Sequence, residues 1–203
     1  MRRPRHHGIP TAVTAAVVIV AALSIVLAAG CGSDTSKARQ YLDAAHEKSK
    51  QVAINEQKLI DQGKKLTDFF NSIQNITPET ATAMKGFFNE LVKDVDAINT
   101  AAQATKPEYD KIIALNGVAQ YKKYAQNRLE VLTLINRRSQ LVKEFAAIYN
   151  TVIDQAANGQ AIDEELVKAQ TQPIIDERDK ITKDIENLNT QAATIAKDLN
   201  IQF

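Results

Sequence analysis

From Ala38 onward the chain places apolar or small residues at alternating steps of four and three. The first series is Ala38, Leu42, Ala45, Ser49, Val52, Glu56, Leu59, Gly63, Leu66, Phe70 and Ile73. A second runs through Ala81, Met84, Phe88, Leu91, Val95, Ile98, Ala102, Thr105, Tyr109 and Ile112. The third takes in Val118, Tyr121, Ala125, Arg128, Leu132, Ile135, Ser139, Val142, Ala146, Tyr149, Ile153 and Ala156. The fourth is Val167, Thr171, Ile174, Arg178, Ile181, Ile185, Leu188, Ala192, Ile195 and Leu199. Sustained four-three spacing puts one stripe along one side of a helix, so each series predicts a long helix packed in the manner of a coiled coil.

The residues between the series say where the chain turns. Thr77-Pro78-Glu79 supplies an N-cap, a proline at the first helical position and an acid in the first turn. Asn116-Gly117 and Asn158-Gly159 join residues that tolerate positive φ, and Asp163-Glu164-Glu165 opens another helix. The register ignores Pro107 and Pro173, which predicts kinks there and not reversals. Ala114, Gly117, Tyr121, Tyr124 and Arg128 also keep the spacing, however, so a rival division turns at Pro107 and runs one helix from Glu108 to Ala157. The expected fold is all-α: an elongated antiparallel bundle of four arms, each about forty residues and roughly 60 Å long.

Before the first series the pattern changes character. Arg2, Arg3 and Arg5 precede an uncharged apolar run from Ala12 to Ala29, which ends in Leu27-Ala28-Ala29-Gly30-Cys31. A basic segment, an apolar segment and a small-residue site form a signal peptide. With the chain's only cysteine at its end, this stretch resembles the lipobox of bacterial lipoprotein signal peptides. Ala28 is a departure, since that family more often has Leu there. The resemblance implies cleavage after Gly30 and a thioether-linked diacylglycerol on Cys31, with further acyl chains holding the protein outside the cytoplasm on the cell membrane. An uncleaved anchor or an ordinary signal peptide is the alternative. The expected division is therefore a signal peptide over 1–30, a lipidated cysteine and short tether over 31–36, and one helical domain over 37–203. Gly32 to Ser36 hold several N-cap candidates for the start of that domain.

Removing 30 of the 203 residues leaves 173, enough for one domain with a sizeable core. Three of the 25 basic side chains go with the leader, so 22 face 24 acidic ones, formally −2, and nothing favours nucleic acid as a partner. With Cys31 lipidated no disulfide forms, and stability rests on packing.

Catalytic and metal chemistry finds little to work with. Paired Glu-x-x-His motifs of di-metal bundles are absent, His46 being the one histidine after Cys31. His46 and Met84 fall roughly 30 Å apart along the arms, too far to share a haem. Ser49 lies one turn from His46 without a third group to orient the ring. Asp176-Glu177-Arg178-Asp179 lacks the spacing and glycine of a calcium loop, and no glycine-rich phosphate loop occurs. The expectation is a protein that is not an enzyme and carries no cofactor beyond the lipid.

Two groups of residues stand out. Glu56, Arg138 and Arg178 fall at one height in the four arms and are candidates for a buried polar layer that fixes register, the alternative being side chains that snorkel to water. Phe69, Phe70, Phe87, Phe88, Phe145 and Tyr149 collect at the end remote from Cys31. They form a candidate contact patch at the tip, or simply the filling of a wide bundle end. Tyr41, Tyr109, Tyr121 and Tyr124 gather at the near end with Lys122 and Lys123, either against lipid headgroups or half-buried in the helices.

The functional expectation is a lipid-anchored binding or scaffold module that touches an envelope protein or a cell-wall polymer. In lipobox and helical-rod layout alone it is similar to cell-wall-binding helical lipoproteins. The alternative is a carrier of a small apolar ligand, in a slot lined by Phe70, Phe88 and Phe145 and opened by the small residues Ala45, Ser49, Gly63, Ala102 and Ala125.

Overall fold

A computed structural model of the chain describes residues 11–72 and 77–201, and the side chains from Asp34 onward. Four long helices make up the described residues, and no strand occurs among them. They are α1 (Thr11–Ser72), α2 (Pro78–Ala114), α3 (Ala119–Ala157) and α4 (Glu164–Asp198). The expected all-α bundle is what forms. At 1.5 Å per residue, the 37 residues of α2 span about 55 Å.

The turn signals act where the sequence puts them. Thr77 caps α2 through its hydroxyl, which accepts from the Thr80 amide at 3.3 Å, while the Thr77 amide donates to the Thr80 hydroxyl at 2.7 Å. Asp163 caps α4 by accepting from the Leu166 amide at 3.0 Å. Gly117 and Gly159 take φ of 69° and 72°, the left-handed region in which a side chain is strained. The chain therefore reverses at Asn116-Gly117, and α2 continues through Pro107. A proline inside a helix leaves the carbonyl four residues back without its amide partner. Gln103 and Ala169, the residues four before Pro107 and Pro173, are both exposed, where water replaces the lost bond.

Cys31 lies inside α1. The helix runs unbroken from Thr11, without the tether and fresh helix start expected over Cys31–Ser36. The physical reason is that the leader is itself rich in Ala, Leu and Val, and Gly30 and Gly32 each cost only about 1 kcal/mol in a helix. Ile73, the last position of the first series, lies outside the described residues, as do Arg2, Arg3, Arg5 and the side chain of Cys31, and the surroundings of Gly30 are likewise outside them.

All ten positions of the second series are buried, which makes α2 the most enclosed helix. The core has three levels. Nearest the Cys31 end, Ala38, Leu42, Tyr109, Ile112, Tyr121, Tyr124 and Ile195 pack together. The middle level joins Val52, Ile98, Val131, Ile135, Leu141, Ile181 and Ile185 from all four helices. The distal level holds Leu66, Met84, Phe88, Leu91, Ala146 and Ile153, with no buried hydrophobic residue from α4. Consecutive helices pack along each other, whereas α1 and α4 make no comparable approach. That gap positions the site.

Candidate functional site

Where α4 draws away from α1, a cleft of about 790 Å3 opens along the distal half of the bundle. Its α1 wall is a broad helical stripe, Glu56, Leu59, Ile60, Gly63, Lys64, Leu66, Thr67 and Asp68. Leu91 and Ile98 of α2 border it, as do Arg138, Ser139, Leu141, Val142 and Phe145 of α3. Ile174, Ile175, Arg178 and Thr182 come from α4. The cleft is open to solvent at Ile60, which is 52 % exposed despite being aliphatic. A Cβ on Gly63 would meet nothing within 4 Å, so that glycine adds room. A second hollow of about 660 Å3 lies between the end of α3 and the start of α4, beside Leu166, which is 54 % exposed.

Glu56, Arg138 and Arg178 all line the larger cleft, so the heights read from the sequence bring them together. They do not make one sealed layer. Arg138 of α3 donates to Glu56 of α1 across the bundle, with side chains 24 % and 30 % exposed. Arg178 instead donates to its neighbour Asp179, from Nη2 at 2.8 Å and from Nε at 3.1 Å. Because α4 stands off from α1, Arg178 faces water and the layer ends at the Glu56–Arg138 pair.

A residue the periodicity passes over ties α4 to α3. Arg137 donates to both carboxylate oxygens of Glu177, at 2.7 and 2.8 Å, and to Glu144 at 3.0 Å. Two parallel bonds of this kind fix geometry as well as charge. The Glu177 and Glu144 carboxylates raise the Arg137 pKa, and in return Arg137 holds Glu177 below the usual carboxylate range. The only sequence signal is a run of adjacent charges, which by itself names no partner.

The six aromatic residues of the candidate tip patch are brought together. Phe69 and Phe87 pair with centroids 5.2 Å apart, and Phe70 meets Phe88 edge-on at 6.5 Å. Phe88 stacks on Tyr149 at 5.7 Å and lies 6.5 Å from Phe145, which is 4.5 Å from Tyr149. Only Phe88 is fully buried, and the other five rings are half-buried. Of the slot residues expected for a carrier, Phe145 lines the cleft, while Phe70 and Phe88 pack beside it. Ala45, Ala102 and Ala125 are closed into the core and open no slot, because small residues there let helices approach. Ser49 donates to the His46 carbonyl at 2.8 Å, bending back onto its own helix.

At the opposite end, Tyr109, Tyr121 and Tyr124 are buried core members and do not reach toward headgroups. Burial pushes the Tyr109 hydroxyl up against the opposing pull of Arg128, and burial first, then the charge of Tyr109, takes Tyr124 up to about 12. Tyr41 is half-buried under Lys111, whose Nζ lies 5.4 Å from the ring centroid. Glu108, buried on α2, accepts from Lys48 of α1 at 2.5 Å and from Lys111 at 2.7 Å. Hydrogen bonds from Lys111 and then Lys48 hold its carboxyl below the usual range. A carboxyl with a lowered folded-state pKa stabilises above its unfolded value, near pH 4.3, and loses that contribution as pH falls through the folded value. Glu108→Gln should therefore cost about 1 kcal/mol at pH 7, both lysines being half exposed. In urea melts the gap between the two proteins should close as pH falls below about 4.3.

Among the described residues no three His, Cys, Asp or Glu side chains come together to hold a metal ion. Over the residues with described side chains, no helix is long and apolar enough to cross a membrane. No family model, curated protein or solved structure matches the chain. The cleft is an apolar trough with the Glu56–Arg138 ion pair and a half-exposed arginine on its walls.

Proposed function

We propose that the protein is a lipid-anchored, extracytoplasmic helical module that works by contact in the cell envelope, without catalysis. Acyl chains on Cys31 hold it, and the bundle presents its distal half to an envelope protein or cell-wall polymer. The observation that carries this reading is the open cleft on an otherwise filled bundle. All three core levels are packed with apolar side chains, yet Ile60 and Leu166 stay half exposed beside hollows. Exposed aliphatic side chains at a concave surface are what a partner covers.

The carrier reading keeps one observation in its favour, since about 790 Å3 lies within the range of small-molecule sites. The open side weighs against it, because a carrier surrounds most of an apolar ligand. In-cell photocrosslinking decides the matter. A probe at Ile60 should trap one discrete species, and a probe at Gln103, exposed on α2, should trap none. Equal labelling from both positions overturns the contact reading. Co-purification of one stoichiometric small apolar molecule with the bundle replaces it by the carrier.

A further inference from the structure

The cleft has the length and the apolar walls to seat a helix. Its α1 wall runs from Glu56 to Asp68, twelve residues or about 18 Å. A helix about 10 Å across and that long fills roughly 1,400 Å3, so a cleft of about 790 Å3 takes its inner half and leaves the outer half in water. The α1 stripe repeats at the steps by which helices pack on helices, and α3 and α4 complete the trough. Charge marks the two ends. Arg178, half exposed and bonded to the adjoining Asp179, stands at the Glu56 end, and exposed Asp68 stands at the other, one turn beyond Lys64. Glu56 is 25 residues beyond Cys31 on one unbroken helix, about 38 Å along the rod, so a lipid still in the bilayer does not reach the cleft.

We infer that the cleft seats an amphipathic helix from another polypeptide, apolar face inward, with an acidic side chain toward Arg178 and a basic one toward Asp68. This rests on the contact reading above and names the chemistry of the partner. Apolar anchors at i, i+3, i+4 and i+7 would meet Leu59, Ile60 and Phe145, the helix-in-groove mode. The acid and the base, about eleven residues apart, set its direction and reject a reversed helix.

The test uses the full chain in phosphatidylcholine nanodiscs and a fluorescein-labelled synthetic peptide of about 16 residues with that pattern, Glu near one end and Arg near the other. Anisotropy should show saturable binding beyond that to empty discs. Ile60→Asp, at a half-exposed position that the fold does not depend on, should weaken it at least about tenfold. Arg178→Glu should weaken it several-fold, and exchanging the peptide's Glu for Arg should restore it. Binding that Ile60→Asp leaves unchanged, or that the charge exchange fails to rescue, overturns the inference. So does absence of peptide binding, whether the cleft instead takes up palmitate or Ile60→Asp abolishes a concentration-dependent self-association seen by sedimentation. Discrete crosslinking from Ile60 alongside a failed peptide would leave the contact reading standing and reject the helix.

Discussion

Phe88→Ala should lower the free energy of unfolding by about 3–5 kcal/mol, the largest stability loss expected from one side chain in the bundle. Phe88 is 1 % exposed, and the rings of Phe70, Phe145 and Tyr149 converge on it from α1 and α3. Truncation removes the transfer energy of a ring and leaves a cavity whose lining rings keep their places. The distal level has no buried hydrophobic residue from α4 that could move in, so collapse is limited to the half-buried aromatics. For a chain of this size each kcal/mol lowers Tm by about 2–4 °C, so a fall of roughly 10 °C is expected. Phe69→Ala is the control, since its half-buried ring pairs with Phe87 at the margin of the cluster and should cost about a third as much. Urea melts of both variants check the pair. Equal losses would mean that the aromatic end is a surface patch with no centre.

What the sequence reveals here depends on whether an interaction repeats along a helix or spans between helices. The four-three spacing marks α2 without error at ten positions, because α2 is enclosed by neighbours on its whole inner side. On α4 the same spacing includes Arg178, which is exposed, and Ile174, which is only partly buried, because a stripe does not show whether its neighbour stays close. The height count brings Glu56 and Arg138 together, since two residues at equal distance from a turn must face each other at one level. It cannot foresee that α4 leans away from α1 and turns Arg178 to water. Asn55 and Asn127 are buried one position off their series: Asn55 accepts from Gln51 at 2.9 Å, and Asn127 donates to the Leu188 carbonyl at 3.0 Å while its own Oδ1 is buried without a hydrogen-bond partner. Polar residues beside a seam read as surface until a partner is in place. The cleft was illegible for the same reason: Leu59, Gly63 and Ile174 belong to the packing stripes, Ile60 and Ile175 lie beside them, and only the missing approach of a fourth helix makes them a site.

Cys31→Ser should remove the membrane-bound mature form altogether. The lipid reading makes a specific demand, that attachment pass through one sulfur, since the basic and acidic side chains after residue 30 nearly balance and give no electrostatic hold. Each buried methylene of an acyl chain contributes about 0.8 kcal/mol, so one chain binds reversibly and two or three bind firmly. A serine accepts no thioether, and cleavage that depends on lipidation then fails as well. The variant should persist as the uncleaved precursor, still held by the apolar run from Ala12 to Ala29, and the cleaved product should vanish from the membrane. Fractionation alone is therefore blind to the change, and the mass of the membrane-bound chain is what discriminates. In the unaltered protein, mass spectrometry should find an N-terminal peptide beginning at Cys31 and carrying diacylglycerol. If Cys31→Ser still yields a membrane-bound chain of mature mass, the anchor lies elsewhere. The continuous α1 would then be a stalk fixed by something other than fat, and the height of the cleft above the bilayer would have to be counted from a different residue.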